Sequence, residues 1–205
     1  MLGRPQHVEP LAASLSAATD RGRLLFMCSE GDDVVGECEA YGDVLVLPRR
    51  RVGDYAHKVN VGVLNSREPL IFMGASDIRF RPGWLEACEA RLSGDVQAVG
   101  TNDLANQRTS RGHSTHSLLT REYARLGLID GNPGVLCEGY VHEYTDDEFV
   151  GTARKRGVYA HARDAHVEHL HPQAGKGEWD DSYRAQSARM RESVGLYRQR
   201  RRLWT

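Results

Sequence analysis

The chain has 205 residues and a formal net charge of −1, with 28 acidic residues against 27 lysines and arginines. This length is sufficient for one sizeable α/β domain with a buried core. The near-neutral total argues against binding to nucleic acid through bulk charge. Residues 1–20 contain no continuous apolar segment, and no apolar run approaches membrane-spanning length, so we expect neither a signal peptide nor a membrane protein.

The cysteines are widely spaced and form no CxxC pair. Several stand in apolar sequence contexts, as buried free thiols do. This pattern favours neither a disulfide framework nor a zinc site, so we expect a protein of the reducing cytoplasm. The four residues are Cys28, Cys38, Cys88 and Cys137.

Helical and extended patterns alternate along the first half of the chain. Apolar residues recur at helical spacing between Arg4 and Thr19 and again between Tyr55 and Leu64. This alternation predicts an α/β domain with a mostly parallel central sheet and helices on both faces. Because a helix follows Met1 almost at once, we expect either that the usual first strand of such a fold is truncated or that the sheet opens with a different strand order. Short apolar runs predict strands at 23–28, 43–47, 70–73, 78–80 and 96–100.

The second half of the chain is less regular and richer in histidine and glycine. We therefore expect a single domain over residues 1–205, in which about 1–103 binds a cofactor and about 104–205 shapes the substrate site. Seven arginines against one glutamate lie between Arg184 and Arg202. A solvated helix face is the favoured interpretation of this basic segment, and contact with phosphate groups is the alternative.

The most informative segment surrounds Asp77. The apolar run Leu70–Met73 ends on small residues and this single carboxylate, and Pro82-Gly83 then opens a helix. An acid at the carboxyl end of a central strand lies where open α/β sheets bind their ligands. Carboxylate oxygens suit Mg²⁺ or Mn²⁺, which in turn bind diphosphates. An aspartate that caps a turn explains the segment alone equally well.

Several further motifs occur in a fixed order along nearly the whole chain. They are Gly3-Arg4-Pro5, Lys58-Val59-Asn60, Ala75-Ser76-Asp77, Pro82-Gly83-Trp84, Gly100 to Asp103, Ser114 to His116, Asp146 to Gly157 and His169 to Pro172. In this order they resemble the GT-A glycosyltransferases, particularly small family 2-like enzymes encoded by bacteriophages. Two features depart from that family: its Asp-x-Asp is reduced to Asp77 alone, and its first strand is nearly absent.

The resemblance implies transfer of a hexosyl or pentosyl group from a nucleotide sugar, for which a UDP-sugar is the first candidate. It also implies that the configuration of the anomeric carbon is inverted. It also implies Mn²⁺ or Mg²⁺, which neutralises the leaving diphosphate. We expect Asp77 to bind this metal together with His169 or His171, which share one face if Val167–His171 is a strand. Surface histidines on an edge strand are the alternative. The resemblance also implies that the nucleotide-sugar donor is bound by Asp32 (or Asp33), Lys58, Ser76 and Asp77.

Inverting transfer needs a carboxylate that accepts the proton of the attacking hydroxyl. By the resemblance this base is Asp146, with Asp147 second. An acidic cluster that stabilises a helix N-terminus explains the same residues. Polar residues after the fifth strand are expected to meet the acceptor, or else to form a hydrogen-bonded loop. These are Asn102, Asp103, His113 and His116.

The predicted function is metal-dependent glycosyl transfer in the cytoplasm, which is the host cytoplasm if the chain is encoded by a phage. Its acceptor is predicted to be a modified base in phage DNA, flipped out of the duplex. Arg49 to Arg51 and the basic C-terminal segment are predicted to contact the phosphates of that DNA. One alternative keeps the fold and changes the acceptor to a saccharide, a lipid-linked sugar or a small metabolite. The other is a non-catalytic protein that binds a nucleotide sugar or nucleic acid.

Overall fold

A computed structural model describes residues 4–104 and 112–205. Its helices are α1 (Val8–Ala18), α2 (Val35–Glu39), α3 (Asp54–Asn65), α4 (Trp84–Glu89), α5 (Arg121–Arg125), α6 (Thr145–Lys155) and α7 (Asp181–Arg201). Its strands are β1 (Leu25–Ser29), β2 (Asp43–Leu47), β3 (Leu70–Met73), β4 (Ile78–Phe80), β5 (Ala98–Asn102), β6 (Ser117–Thr120) and β7 (Tyr159–His169). Single 3₁₀ turns at Pro5–His7 and Pro172–Ala174 precede α1 and α7.

The predicted elements of the first half are present. The strands predicted at 43–47, 70–73 and 78–80 have the observed bounds, whereas the last one begins two residues later, at Ala98. There Gln97 and Ala98 both donate backbone hydrogen bonds to the carbonyl of Val158, just before β7 begins. The start of β5 therefore depends on a partner strand that is distant in sequence.

The strands form a two-stranded sheet, β1-β2, and a five-stranded sheet in the order β3-β6-β5-β7-β4. The α/β class is as predicted, but the sheets are more mixed than a mostly parallel arrangement. The pairs β1–β2 and β5–β7 are parallel, and the pairs β3–β6, β6–β5 and β7–β4 are antiparallel. The alternation of helix and strand patterns in the sequence does not reveal which strand pairs are antiparallel, because strand direction is set by long-range pairing. For the same reason β3, expected as a central strand, lies at one edge of its sheet.

Helices cover both faces of the sheets. On one face α1 and α4 pack against β1, β4 and the middle of β7, around Leu11, Phe26 and Trp84. On the other face α3 and α6 pack against β3, β5 and β6, around Val63 and Phe149. These two apolar clusters fix the positions of the strand ends at which the polar residues of the next section lie.

The cysteines are free and buried, as the sequence predicts. No helix within residues 4–104 and 112–205 is long and apolar enough to cross a membrane.

Candidate functional site

A cavity of about 1570 Å³ extends between β1 and β3 and reaches the carboxyl end of β3, where Gly74 to Asp77 line it. Ligand pockets usually measure about 300–1,000 Å³, so this cavity is larger than one small molecule requires. It collects residues that are far apart in the chain and that the sequence analysis singled out. Those that line it are Lys58, Ser76, Asp77, Asp103, His116, Asp146, Asp147, His169 and His171.

Asp77 is buried at the centre of the polar part of this cavity, with 4% of its surface exposed. The Tyr183 hydroxyl donates a hydrogen bond to its Oδ2, and His169 Nε2 lies 3.3 Å from the same oxygen. Burial raises the pKa of Asp77, but the contacts with His169 and Tyr183 outweigh it and hold the pKa well below its usual range. Asp77 is therefore an ionised carboxylate in a largely enclosed position.

Three histidine rings surround Asp77. His169 ends β7 and meets the ring of His116 at 4.8 Å and the ring of His171 at 5.2 Å between centroids. Leu170 and His171 lie beyond the strand, which was expected to continue to His171, yet the two rings still lie side by side. Burial and the neighbouring His169 lower the pKa of His116 to about 3 and that of His171 to about 4. Both rings are therefore neutral near pH 7.

Asp146 and Asp147 lie in the first turn of α6, so the acidic cluster does begin a helix as the alternative interpretation proposed. Two of its three acids also face the cavity. Oδ2 of Asp146 is 2.8 Å from Nε2 of the buried His113, which fixes the orientation of the carboxylate. The third acid, Glu148, is turned away and hydrogen-bonded to Tyr140 and Arg200. Asp146 thus combines access to the cavity with a defined orientation.

Lys58 reaches the cavity from α3. Its ammonium lies 2.6 Å from the Ser29 hydroxyl and 2.8 Å from a carboxylate oxygen of Asp54. Asp32 is placed differently from the prediction: it accepts a hydrogen bond from the Ser29 amide, pairs with Arg49 and does not line the cavity. Arg49, not Asp32, presents a side chain to the cavity at this position.

The predicted acceptor residues separate into two groups. Asp103 and His116 are buried and line the cavity. Asn102 does not line it; its amide donates to the Arg163 carbonyl at 2.9 Å and its oxygen accepts from the Leu104 amide at 3.1 Å. The hydrogen-bonded-loop interpretation therefore describes the contacts of Asn102.

The sequence analysis assigned no role to several side chains that reach the cavity. Tyr183, in the first turn of α7, contacts Asp77 and carries the guanidinium of Arg4 at 3.6 Å from its ring centroid. Arg4 also forms a bidentate pair with Asp180. Glu143 lines the cavity, and burial followed by repulsion from Asp146 raises its pKa. Only Arg4 carried a sequence signal, as part of the Gly3-Arg4-Pro5 motif.

Within residues 4–104 and 112–205, no group of three or more His, Cys, Asp or Glu side chains is arranged as a metal site. The chemistry of Asp77 and His169 nevertheless fits a hard or borderline divalent cation, since one is an ionised carboxylate and the other an imidazole. Magnesium-type sites often use one or two protein carboxylates and complete their shell with substrate phosphates and water. Asp77 with His169 is a donor set of this kind.

The basic C-terminal segment is not uniformly a solvated face. Arg200 is 12% exposed and binds the carboxylates of Glu148 and Asp130, each at 2.6 Å. This arginine holds α7 on α6 and is not available to a phosphate group. Arg201 and Arg202, which follow it, are exposed.

A scan against protein-family models found no match, and neither did a search of curated proteins. Among solved structures, the fold is similar to that of the mannosyltransferase PcManGT from Pyrobaculum calidifontis in complex with GDP-Man and Mn²⁺. The TM-score is 0.63 at 14% sequence identity, and the match covers 90% of this chain and 57% of the other. This chain thus spans little more than half the length of that protein. The similarity confirms the predicted α/β fold of the glycosyltransferase type.

Proposed function

We propose that this protein is a metal-dependent glycosyltransferase that moves a sugar from a nucleotide-sugar donor to an acceptor hydroxyl. The observation that carries the proposal is the ionised, buried Asp77 at the strand ends, in a fold similar to that of a mannosyltransferase bound to GDP-Man and Mn²⁺. Ligands of open α/β sheets bind at this edge. The cavity that reaches this edge also includes the apolar space between β1 and β3, and its polar part around Asp77 is the proposed donor site.

In this proposal Asp77 and His169 hold a divalent cation on the donor side of the cavity, with His171 next to them. When bound, Mn²⁺ or Mg²⁺ supplies the Lewis-acid charge that stabilises the leaving diphosphate. Lys58 and Ser76 are placed to contact the donor from α3 and from the segment after β3. Asp32 would act on the donor only through Arg49, with which it is paired.

Asp146 is the proposed base, because His113 orients its carboxylate and its first-turn position faces the cavity. As the acceptor oxygen attacks the anomeric carbon, the bond to the diphosphate breaks and the acceptor proton passes to Asp146. Direct displacement of this kind inverts the anomeric centre. Asp147 is the second candidate, and Asp103 and His116 are the proposed acceptor contacts within the cavity.

The donor is tested by thermal-shift measurements with UDP, GDP, CDP and their sugars, each with and without Mn²⁺. A ligand that binds only the folded protein raises the melting temperature. We expect a Mn²⁺-dependent rise with one nucleotide, a UDP-sugar first and GDP-mannose as the alternative that the neighbour suggests. Asp77→Asn should abolish the rise, whereas Asp164→Asn, at an exposed surface pair with Arg91, should retain it. No rise with any nucleotide would contradict the proposal.

The acceptor is proposed to be a hydroxyl on a modified base in phage DNA. Arg49, Arg50 and Arg51 line one side of the cavity. Each is paired with a carboxylate, of Asp32, Glu138 and Glu192 respectively, but unlike Arg200 all three are exposed, so their guanidinium groups are the proposed phosphate contacts. A labelled donor is offered to duplex DNA containing hydroxymethylated pyrimidines and, in parallel, to saccharides and small hydroxylated metabolites. Transfer to a saccharide or metabolite alone would replace the DNA proposal, and donor binding without transfer or hydrolysis would favour a non-catalytic binding protein.

A further inference from the structure

A second, smaller cavity adjoins the main one beside α6. It measures about 280 Å³, near the lower end of the usual range for ligand pockets, about 300–1,000 Å³. Asp147 lines both cavities, and His113, which orients the proposed base Asp146, lines the second one. A group bound in the second cavity therefore lies beside the proposed base. The side chains that give this cavity its chemistry are Asp147, Arg154, Tyr197, Arg201 and Trp204.

Two aromatic rings line the second cavity. Tyr197 and Trp204 lie with 6.0 Å between their ring centroids. Tyr197 also stacks on Tyr144, at 4.4 Å and an interplanar angle of 21°, and Tyr144 lines the main cavity. Trp204 lies against α6 where only glycine leaves room, because a Cβ at Gly151 would be 2.2 Å from its ring atom Cε3. Packing thus holds both rings in place at the cavity.

The same cavity has polar groups suited to an anion. The indole Nε1 of Trp204 is buried and donates to no acceptor in the part of the chain that the structure describes. Such a donor is normally paired, so an acceptor atom is expected beside it. Arg201 is exposed and forms no ion pair within residues 4–104 and 112–205, whereas Arg154 is anchored by its hydrogen bond to the Gly112 carbonyl at 2.6 Å. Two arginines against the carboxylate of Asp147 favour a negatively charged ligand.

Aromatic surface beside a cation is the combination that a nucleotide uses. Bases of any sequence stack on aromatic side chains, and arginine binds phosphate through charge-assisted hydrogen bonds. A neutral saccharide would contact the rings but leave the cation of Arg201 without an anion. A phosphate group alone would use the cation and leave the rings without a contact.

We propose that the second cavity is a nucleotide subsite, which holds one nucleotide of a nucleic-acid acceptor next to the nucleotide that reacts. Its base lies against Tyr197 and Trp204, its phosphate is bound by Arg201 and Arg154, and Nε1 of Trp204 donates to one of its oxygens. The place of this nucleotide in an acceptor rests on the proposed function, because the neighbouring nucleotide is then the one delivered to Asp146. Binding in the subsite itself requires neither metal nor glycosyl transfer.

Nuclear magnetic resonance of the indole N–H groups tests the subsite at the atom concerned. The chain has three tryptophans, and each gives one such signal. Trp84 lines the main cavity and Trp179 lines neither cavity, so their signals distinguish binding elsewhere from binding in the subsite. Trp204→Phe identifies the signal of Trp204. The probes are dCMP, deoxycytidine, inorganic phosphate and a methyl glycoside, each added without a divalent cation.

We expect dCMP to shift the Trp204 signal until the subsite is saturated and to leave the Trp179 signal unchanged. Deoxycytidine and phosphate should each bind about tenfold or more weakly than dCMP, because each lacks one half of the contacts. No shift of the Trp204 signal with dCMP would overturn the proposal. Phosphate or the glycoside binding as tightly as dCMP would overturn it as well.

A matched pair of arginine variants tests the phosphate contact. Arg201→Met should weaken dCMP binding by about tenfold or more. Arg125→Met removes the same charge at an exposed position that lines neither cavity, and it should change the affinity by about twofold or less. Equal effects in the two variants would overturn the assignment of the phosphate to Arg201.

The subsite and the proposed donor site fail separately. Asp77→Asn should leave the response of Trp204 to dCMP as it is, although it should abolish the Mn²⁺-dependent binding of the nucleotide sugar. If no nucleotide sugar bound and the response of Trp204 remained, the glycosyl transfer would be overturned and the subsite confirmed. If the donor bound and Trp204 did not respond to dCMP, only the subsite would be overturned.

Discussion

The hydroxyl of Tyr183 donates a hydrogen bond to Oδ2 of Asp77, a residue 106 positions earlier in the chain. Burial, followed by the charge of Asp77, raises the pKa of Tyr183, so the phenol keeps its proton and remains a donor. His169 approaches the same carboxylate oxygen from β7. The C-terminal helix therefore contributes directly to the environment of the carboxylate on which the proposed metal site depends.

Replacing Tyr183 tests this relationship. Tyr183→Phe keeps the ring beneath Arg4 and removes only the donor to Asp77. A hydrogen bond to a charged group contributes about 1.5–3 kcal/mol, so we expect a loss of this order in the free energy of unfolding. Urea denaturation measures the loss. Tyr41→Phe, at an exposed position, is the matched control, and an equal effect in both variants would contradict the assignment.

The two candidate bases are separated by kinetics. Asp146→Asn should lower kcat by about 10²–10⁴-fold with little change in donor affinity, since general-base catalysis contributes that much. Asp147→Asn should have a much smaller effect, because Nε2 of His113 lies 2.8 Å from Oδ2 of Asp146 and orients that carboxylate. Transfer rates and nucleotide binding are measured on both variants. If Asp147→Asn were the more damaging change, the roles would be reversed; loss of activity in Glu143→Gln alone would point to Glu143.

Arg200 is predicted to be a structural residue. Its removal leaves the carboxylate of Glu148, which is 3% exposed, without its cation. Breaking a buried ion pair in this way costs about 3–5 kcal/mol. We therefore expect Arg200→Met to lower the unfolding free energy strongly and Arg201→Met, at an exposed position, to leave it almost unchanged.

The same pair of variants bears on DNA binding. If the exposed arginines contact phosphates, Arg201→Met and Arg202→Met should weaken DNA binding and reduce its salt dependence while the protein stays folded. Unchanged binding in both variants would remove this segment from the proposed acceptor contact. Arg200→Met is unsuitable for this purpose, because a loss of binding would follow from unfolding.

The buried histidines predict a loss of stability in acid. The pKa of His116 is about 3 in the folded protein, because of burial and the nearby His169, whereas unfolded histidine has a pKa near 6.5. Between these values the unfolded chain binds a proton that the folded chain does not. As the pH falls from about 6.5 towards 3, this group should lower the unfolding free energy by about 1.4 kcal/mol per pH unit.

The measurement is the unfolding free energy as a function of pH for His116→Gln and for His166→Gln, which replaces an exposed histidine. His116→Gln should make the dependence shallower, and His166→Gln should leave it nearly as it is. His171, whose pKa is also lowered, to about 4, adds a further contribution over the upper part of the same range. If the unfolding free energy depended on pH with the same slope in the unsubstituted protein and in both variants, a neutral, buried His116 would be contradicted.

Local patterns were sufficient for the positions of most elements and for Asp77. The run Leu70–Met73, the small residues after it and Pro82-Gly83 each depend on neighbours in sequence, so strand, turn and helix start are all readable. Asp146 was singled out by the family resemblance, from its offset within a helix start, and its role stays a prediction. Tyr183 was not singled out from the sequence, because its neighbours in α7 carry no pattern that distinguishes a site residue from an ordinary helical one.

The sequence by itself thus determined the α/β class, the strand that leads to Asp77 and the buried free cysteines, since these follow from periodicity and composition. Only the tertiary structure decided strand direction, the separation of β1-β2 from the five-stranded sheet, and the meeting of Asp77, His169 and Tyr183. Only the tertiary structure also decided that Arg200 pairs with the buried Glu148 and that Asn102 and Asp32 do not line the cavity. The physical reason is that strand pairing and ion pairing join residues far apart in the chain, and their partners leave no mark in local sequence.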